Sequence, residues 1–152
     1  MSFARKIQHL IDTKPEFSNS ESYYKNISDE AIKEAEKQAI LQTANKRYAL
    51  VFVYNSDCSH CIRQLPIIQS FKLAYRFKTL GISTDRNFFE GLDENIVDEQ
   101  VWDSNVQSIP TIFLLDKQRP EKIFISKGLI TLDELESRCV NRIMEREDEK
   151  NS

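Results

Sequence analysis

Two cysteines separated by two residues, Cys58 and Cys61, carry the clearest chemistry in this sequence. A pair at this spacing can form a redox-active disulfide, supply half of a metal site, or pack as an inert pair. A structural zinc ion needs four ligands, and the other candidates, His9, His60 and Cys139, contain no second pair at a recurring spacing. The pattern therefore favours redox chemistry, and we predict neither a metal ion nor a cofactor.

The residues around Cys58 predict how the two cysteines are positioned. Residues 48–54 are an apolar run of β-branched and aromatic side chains, which is typical of a buried central strand. Residues 55–57 favour a turn, and residues 59 to about 77 have helix-forming composition. Cys58 is therefore expected at a helix N-terminus, where free backbone N–H groups and the helix dipole stabilise a thiolate. We predict that Cys58 is the nucleophile and that Cys61, one turn later, is the shielded, resolving cysteine.

His60 lies between the two cysteines and has two interpretations. It can be an exposed, solvated side chain with no role in the chemistry. Alternatively, as an imidazolium it stabilises the Cys58 thiolate and makes the disulfide more oxidising. The sequence leaves both interpretations open. Cys139 is on the apolar face of a predicted final helix, and we expect it to be buried as a packing residue.

Length and composition indicate a globular chain of one domain and, at most, an appendage. It has 152 residues, of which 40% are hydrophobic and 30% charged, enough to bury a core. The formal net charge of −3, without a basic stripe, argues against a nucleic-acid surface, and no apolar run reaches membrane-spanning length. The first residues lack the apolar core of a signal peptide, so the protein is either cytoplasmic or its targeting segment is missing from this sequence.

The remaining elements are predicted from periodicity, caps and turn residues. They are helices over residues 28–45 and 94–102, strands over residues 79–83, 111–115 and 121–126, and a closing helix that starts at a capping box formed by Thr131 and Glu134. Helices alternate with strands and the last two strands form a hairpin, so we predict an α/β fold with a central mixed β-sheet flanked by helices. The predicted divisions are an N-terminal helical extension and linker over residues 1–27, the domain over residues 28–146 and a frayed tail over residues 147–152.

Ile109 and Pro110 precede the strand predicted at residues 111–115 and also have two interpretations. Proline is confined to strand starts and edges, so Pro110 can simply open this strand. In the functional interpretation, the backbone of Ile109 pairs with an extended substrate segment and adds a strand beside the disulfide.

Three separated features resemble the thioredoxin-like superfamily across roughly residues 28–146. They are the sequence Cys58-Ser59-His60-Cys61 between a strand and a helix, Pro66 inside that helix, and Ile109-Pro110-Thr111 before a later strand. The resemblance implies a thioredoxin-like fold, thiol-disulfide exchange at the cysteine pair, and a cis proline at position 110 that lies against it. Members that act as reductants carry a buried acid six residues before the first cysteine. This chain has Phe52 there, which argues against efficient reduction.

More narrowly, residues 48–61 and residues 128–138 resemble TraF-type conjugal pilus assembly proteins of F-type type IV secretion systems. This resemblance implies a periplasmic thiol-disulfide oxidoreductase whose signal peptide is absent from this sequence. Its expected partners are cysteine-containing protein substrates and other pilus assembly proteins, with no nucleic acid and no transmembrane segment. Some relatives lack the cysteine pair, so one alternative is a non-enzymatic assembly scaffold. The other alternative is a cytoplasmic thioredoxin-like reductant.

Overall fold

The structure, a computed structural model, describes residues 20–98 and 108–151, with side chains over residues 26–98 and 108–147. The described elements are α1 (Ser20–Ala44), β1 (Tyr48–Tyr54), α2 (Ser59–Tyr75), β2 (Thr79–Ser83), β3 (Glu94–Val97), β4 (Thr111–Asp116), β5 (Lys122–Lys127) and α3 (Leu132–Asn151). They form two compact units that divide between Ile40 and Leu41. The second unit contains all five strands, α2 and α3.

The five strands form one mixed sheet in the order β3-β2-β1-β4-β5. β1 lies at the centre, parallel to β2 and antiparallel to β4. Parallel neighbours need a long crossover, and α2 supplies it between β1 and β2, whereas β4 and β5 pair as a hairpin before α3. A βαβ unit followed by a ββα unit in one sheet is the thioredoxin-like arrangement. The predicted fold class is confirmed.

β1 forms the centre of the core because it has a strand on each side. All seven of its residues are buried, as the continuous apolar run predicted. Successive side chains point to opposite faces of the sheet. On one face, Val51 and Val53 cluster with Phe113 of β4. On the other, the rings of Phe52 and Tyr54 stack with 5.1 Å between their centroids.

Residues 94–97 form strand β3, where the sequence predicted the start of a helix, so that prediction is wrong. β3 pairs in parallel with β2 and sets Asn95 opposite Gly81. Because Gly81 has no side chain, the Asn95 amide can lie over it, and a Cβ atom there would come within 2.2 Å of Asn95 Oδ1. The Tyr54 hydroxyl also donates to Asn95 Oδ1 at 2.6 Å. These partners are distant in sequence and outweigh a weak local helix signal. Residues 99–102 of the predicted helix lie outside the described residues.

α1 begins at Ser20, so residues 20–27, which the sequence predicted as part of a linker, are helical. The predicted helix start at residue 28 is therefore wrong, although its predicted end at residue 45 agrees with the structure to within one residue. The predicted domain over residues 28–146 stays a prediction. Within the described part of the chain, no helix combines the length and the apolar character needed to cross a membrane.

α3 begins at the predicted capping box and is longer than predicted. The Thr131 hydroxyl oxygen accepts from the Glu134 N–H at 3.1 Å, and the Glu134 carboxylate accepts from the Thr131 N–H at 3.3 Å. The helix then continues to Asn151, through the tail predicted to fray. Near its end, the Arg146 guanidinium pairs with buried Asp116 of β4 at 2.8 Å. This partner comes from another element, so the local sequence pattern did not reveal it.

Candidate active site

The loop between β1 and α2 sets Cys58 at the start of the helix. Asn55 closes this loop twice: its carbonyl accepts the Cys58 N–H at 3.1 Å, and its side-chain oxygen accepts the Asp57 N–H at 2.9 Å. An asparagine that bonds the backbone two residues later is a common turn former. Cys58 then takes the N-cap position of α2 with an extended backbone (φ −78°, ψ 119°). Its predicted position at a helix N-terminus is confirmed.

The Cys58 sulfur itself performs the capping function. It accepts the backbone N–H of Cys61 at 3.2 Å, satisfying one of the N–H groups that a helix leaves unpaired at its start. A hydrogen bond of this kind strengthens when the acceptor is an anion, and the helix dipole acts in the same direction. The Cys58 sulfur therefore lies at the positive end of the helix dipole, with the Cys61 N–H directed at it.

Cys58 and Cys61 have opposite environments although both are free thiols. Cys58 is half-buried, whereas Cys61 is completely buried. Burial, together with a hydrogen bond to the Cys58 sulfur, raises the pKa of the Cys61 thiol to about 12. Cys61 therefore stays protonated near neutral pH. Of these two sulfurs, that of Cys58 is the accessible one.

Asp85 holds the cysteine loop from the neighbouring strand. One of its carboxylate oxygens accepts both the backbone N–H of Ser56, at 3.1 Å, and the Ser56 hydroxyl. Its other oxygen accepts from the Ser83 hydroxyl at 2.9 Å and from the Asn87 N–H at 3.2 Å. The Ser56 hydroxyl makes the largest contribution, and together these donors lower the pKa of Asp85 to about 2. The carboxylate is therefore a fixed negative charge beside the loop that carries Cys58.

The sequence patterns did not single out Asp85 as a site residue. Its position nevertheless has a recognisable signal, because it lies two residues after the end of β2, and β2 runs parallel to β1. The carboxyl ends of neighbouring parallel strands meet at one edge of a sheet, and sites form there in open α/β folds. The Thr84 N–H donates to the Tyr54 carbonyl at 2.9 Å, which joins the two strand ends at this edge.

Ile109 and Pro110 reach the same edge from β4. β1 and β4 are antiparallel with Val53 opposite Thr111, so continuing the register by one residue brings Pro110 level with Tyr54, the last residue of β1. The Ile109–Pro110 peptide bond is cis, which confirms the isomer that the resemblance implied. Pro110 is buried and Ile109 is half-buried.

Gln64 fixes the orientation of α2 against the segment that precedes α3. This side chain is buried, and it bonds both backbone groups of Ile130: its Nε2 donates to the carbonyl at 3.2 Å and its Oε1 accepts the N–H at 2.9 Å. Two residues earlier, the Gly128 N–H donates to the Pro110 carbonyl at 2.7 Å. The cysteine helix and the Pro110 segment are thus both held by residues 128–130. Sequence reasoning missed Gln64 because its partner is far away in the chain.

The sequence also singled out His60 and Phe52. His60 is exposed on the first turn of α2. Phe52 is completely buried, and its ring lies 6.2 Å from that of Phe89, so an aromatic side chain fills the place where thioredoxin-type reductants were expected to carry an acid.

Within residues 20–98 and 108–151, no three His, Cys, Asp or Glu side chains are grouped so that they could hold a metal ion. Cys139 is buried in α3, as predicted.

Comparison with known proteins gives one family and several structural neighbours. The family described as "TraF: F plasmid transfer operon protein" matches residues 1–140. The comparison with curated proteins finds no significant match. StoA from Bacillus subtilis is 21% identical, with a TM-score of 0.47 over 61% of this chain and 82% of StoA. The thioredoxin domain of a thiol-disulfide oxidoreductase from Bacteroides vulgatus is 20% identical, with a TM-score of 0.48 over 64% of this chain and 79% of that domain.

The family match extends over most of the chain and includes every part of the site described above. It covers β1, the cysteine pair, Asp85, Pro110 and the capping box of α3. It also covers both segments whose residues resemble TraF-type proteins, residues 48–61 and 128–138. The chain therefore belongs to the TraF family of F plasmid transfer operon proteins.

Proposed function

We propose that this protein is a periplasmic thiol-disulfide oxidoreductase that acts on cysteine-containing proteins of a conjugal pilus or type IV secretion apparatus. The observation that carries the proposal is the Cys58 sulfur at the N-cap of α2, bonded to the Cys61 N–H and paired with a buried thiol. Membership of the TraF family supports the conjugation setting. The same membership supports a location outside the cytoplasm, where disulfides persist.

In the oxidising direction, a substrate thiolate attacks the Cys58 sulfur of the Cys58–Cys61 disulfide. The disulfide bond breaks, a mixed disulfide forms at Cys58, and Cys61 leaves as a thiolate and takes up a proton, since its pKa is about 12. A second substrate thiolate then attacks the substrate sulfur of the mixed disulfide. The substrate gains a disulfide, Cys58 leaves as a thiolate stabilised by the helix N-terminus, and two electrons have passed to the protein.

The reverse direction is less favoured by the residues present. There, Cys58 attacks a substrate disulfide and Cys61 must lose its proton before it can resolve the mixed disulfide. A pKa of about 12 keeps Cys61 protonated, and Phe52 offers no carboxylate to accept that proton. A long-lived mixed disulfide suits oxidation and isomerisation of substrates better than thioredoxin-type reduction.

We assign Ile109 and Pro110 to substrate binding. Pro110 lies directly before the first residue of β4, at the sheet edge where the cysteine loop begins. An extended segment of substrate can add to this end of β4 through backbone hydrogen bonds to Ile109.

A cysteine peptide that is N-methylated at the residues flanking its cysteine cannot donate these bonds. We expect it to form the mixed disulfide with Cys58 roughly tenfold more slowly than the unmodified peptide, if one or two backbone hydrogen bonds are lost. Equal rates in stopped-flow measurements would contradict the assignment.

The function is tested first by equilibrium with glutathione. Oxidised protein and two glutathione molecules exchange with reduced protein and one glutathione disulfide, and mass spectrometry identifies the paired cysteines. We expect the Cys58–Cys61 disulfide to have a reduction potential above the thioredoxin value of about −270 mV.

The variant His60→Gln should lower this reduction potential if an imidazolium stabilises the Cys58 thiolate. Cys139→Ala, a change in the buried cysteine outside the pair, serves as the control.

A mating assay tests whether the chemistry serves the native role. We expect the double variant Cys58→Ser, Cys61→Ser to lose conjugal transfer while retaining its fold, and Cys139→Ala to retain transfer. Normal transfer by the double variant would instead assign the protein to the scaffold class. A protein recovered only from the cytoplasmic fraction of the host would favour the thioredoxin-like reductant.

A further inference from the structure

Asp85 is a carboxylate that the structure ties directly to the cysteine loop. Four hydrogen-bond donors from Ser56, Ser83 and Asn87 surround it. Both Ser56 donors lie two residues before Cys58, on the short loop between β1 and the helix. The carboxylate therefore fixes this loop, and it is ionised at every pH at which thiol exchange proceeds.

A fixed negative charge at this place acts on the redox equilibrium. The disulfide carries no charge, whereas the reduced pair carries one whenever Cys58 is a thiolate. A nearby like charge disfavours the charged form, and the Asp85 charge does contribute to the raised pKa of Cys61. Other charged or titratable groups next to the pair, Asp57, His60 and Arg63, are exposed, so water and salt screen their effect.

We propose that Asp85 is a positioning residue that holds the cysteine loop through Ser56 and, by its charge, stabilises the Cys58–Cys61 disulfide relative to the reduced pair. The inference rests on the proposed redox function and assigns a determinant of its potential. The Asp85 charge lowers the reduction potential of the pair, whereas the helix N-terminus raises it. The balance of the two effects sets the potential.

The test is the glutathione equilibrium of full-length wild-type protein and three variants. In it, two electrons and two protons from two glutathione thiols reduce the protein disulfide, and one glutathione disulfide forms. Asp85→Asn removes the charge and keeps the shape. Ser56→Ala removes one hydrogen bond to Asp85 and keeps the charge. Asp93→Asn is the matched control, because Asp93 also accepts hydrogen bonds from β2, through the N–H and hydroxyl of Thr79, but at the opposite end of that strand, about 13 Å away.

We expect Asp85→Asn to lower the equilibrium constant for disulfide formation about tenfold, which is a rise of about 30 mV in potential for a two-electron couple. Ser56→Ala and Asp93→Asn should keep the wild-type constant. If Asp85→Asn does not fold, Asp85→Ser removes the charge in a smaller side chain and is measured instead.

Two results would overturn the inference alone. One is a wild-type constant in Asp85→Asn, and the other is an equal shift in Ser56→Ala, which would assign the effect to loop hydrogen bonds and not to charge. Failure of the wild-type protein to form the Cys58–Cys61 disulfide would overturn the proposed function together with this inference. The wild-type measurement therefore distinguishes the two failures.

Discussion

At the scale of single residues, burial separates two cysteines that are chemically identical in the unfolded chain. Cys58 caps the helix with its sulfur and remains accessible, whereas Cys61 is enclosed three residues later. Because the thiolate is the nucleophile, the fraction of each thiol that is ionised decides which sulfur reacts. We therefore expect Cys58 to be the reacting sulfur and Cys61 the shielded one.

This separation predicts selective alkylation of the reduced protein. Near neutral pH, iodoacetamide should modify Cys58 and leave Cys61 and Cys139 unmodified, since burial raises the pKa of both latter thiols and also encloses them. Peptide mass spectrometry after timed quenching measures each site. In urea, all three cysteines should react at similar rates. Modification of Cys61 before Cys58 in the folded protein would refute the assigned roles.

At the scale of elements, α2 is held by contacts that come from distant parts of the chain. Its N-terminus is fixed by the loop that Asp85 binds, and its first two turns are fixed by Gln64 on Ile130. Its C-terminus ends at Arg76, whose backbone adopts a left-handed conformation (φ 59°) and donates to the Lys72 carbonyl at 2.7 Å. The helix that carries both cysteines is therefore fixed at both ends.

The Gln64 contact predicts a clear loss of stability. Gln64→Met keeps the volume but leaves the buried N–H and carbonyl of Ile130 without partners, which should cost about 2 kcal/mol of unfolding free energy. Gln69→Met on the same helix is the control, because Gln69 makes one bond, to the Glu90 carbonyl at 3.2 Å, nearer the surface. It should cost under about 1 kcal/mol. Urea denaturation measures both, and equal losses would count against the role of Gln64.

Local signals determined which elements could be predicted from the sequence. The bounds of β1 and β2 agree with those predicted, because an apolar run ended by turn residues needs no knowledge of the partner strand. The cysteine pair, the helix start at Cys58 and the α3 capping box were likewise predictable. β3, Gln64 and Asp85 depend on partners 14 to 66 residues away, and no local pattern encodes such pairings.

At the scale of the whole molecule, one buried carboxylate joins three separate parts of the second unit. Asp116 at the end of β4 accepts two bonds from Arg47, which precedes β1, and one from Arg146 of α3. Burial alone would raise the pKa of Asp116, but the two guanidinium groups outweigh this effect and hold the pKa well below its usual range. The network keeps the last turns of α3 against the sheet.

The Asp116 network predicts acid-sensitive stability. Folding lowers the pKa of this carboxyl, so the ionised group stabilises the folded protein at pH values above about 3.9, the pKa in the unfolded chain. This stabilisation is lost as the pH falls below that value. Asp116→Asn should therefore cost about 3 kcal/mol at neutral pH, and the difference from wild type should shrink below about pH 4. Glu145→Gln, which removes an exposed pair with Arg142, should cost under about 1 kcal/mol. Urea titrations across pH measure this, and a pH-independent difference would contradict the argument.

The capping role of the Cys58 sulfur has a thermodynamic consequence. In the proposed reaction, the atom that forms the mixed disulfide is also the atom that accepts the Cys61 N–H, so a change in its oxidation state changes the strength of the cap. By linkage, whatever free energy the cap gains in one redox form appears as an equal bias toward that form. A substitution that stabilises the first turn of α2 more in one redox form than in the other therefore shifts the redox equilibrium of the pair. If the proposed function holds, the potential depends on how stable this turn is in each redox form, and evolution can adjust it without altering either cysteine.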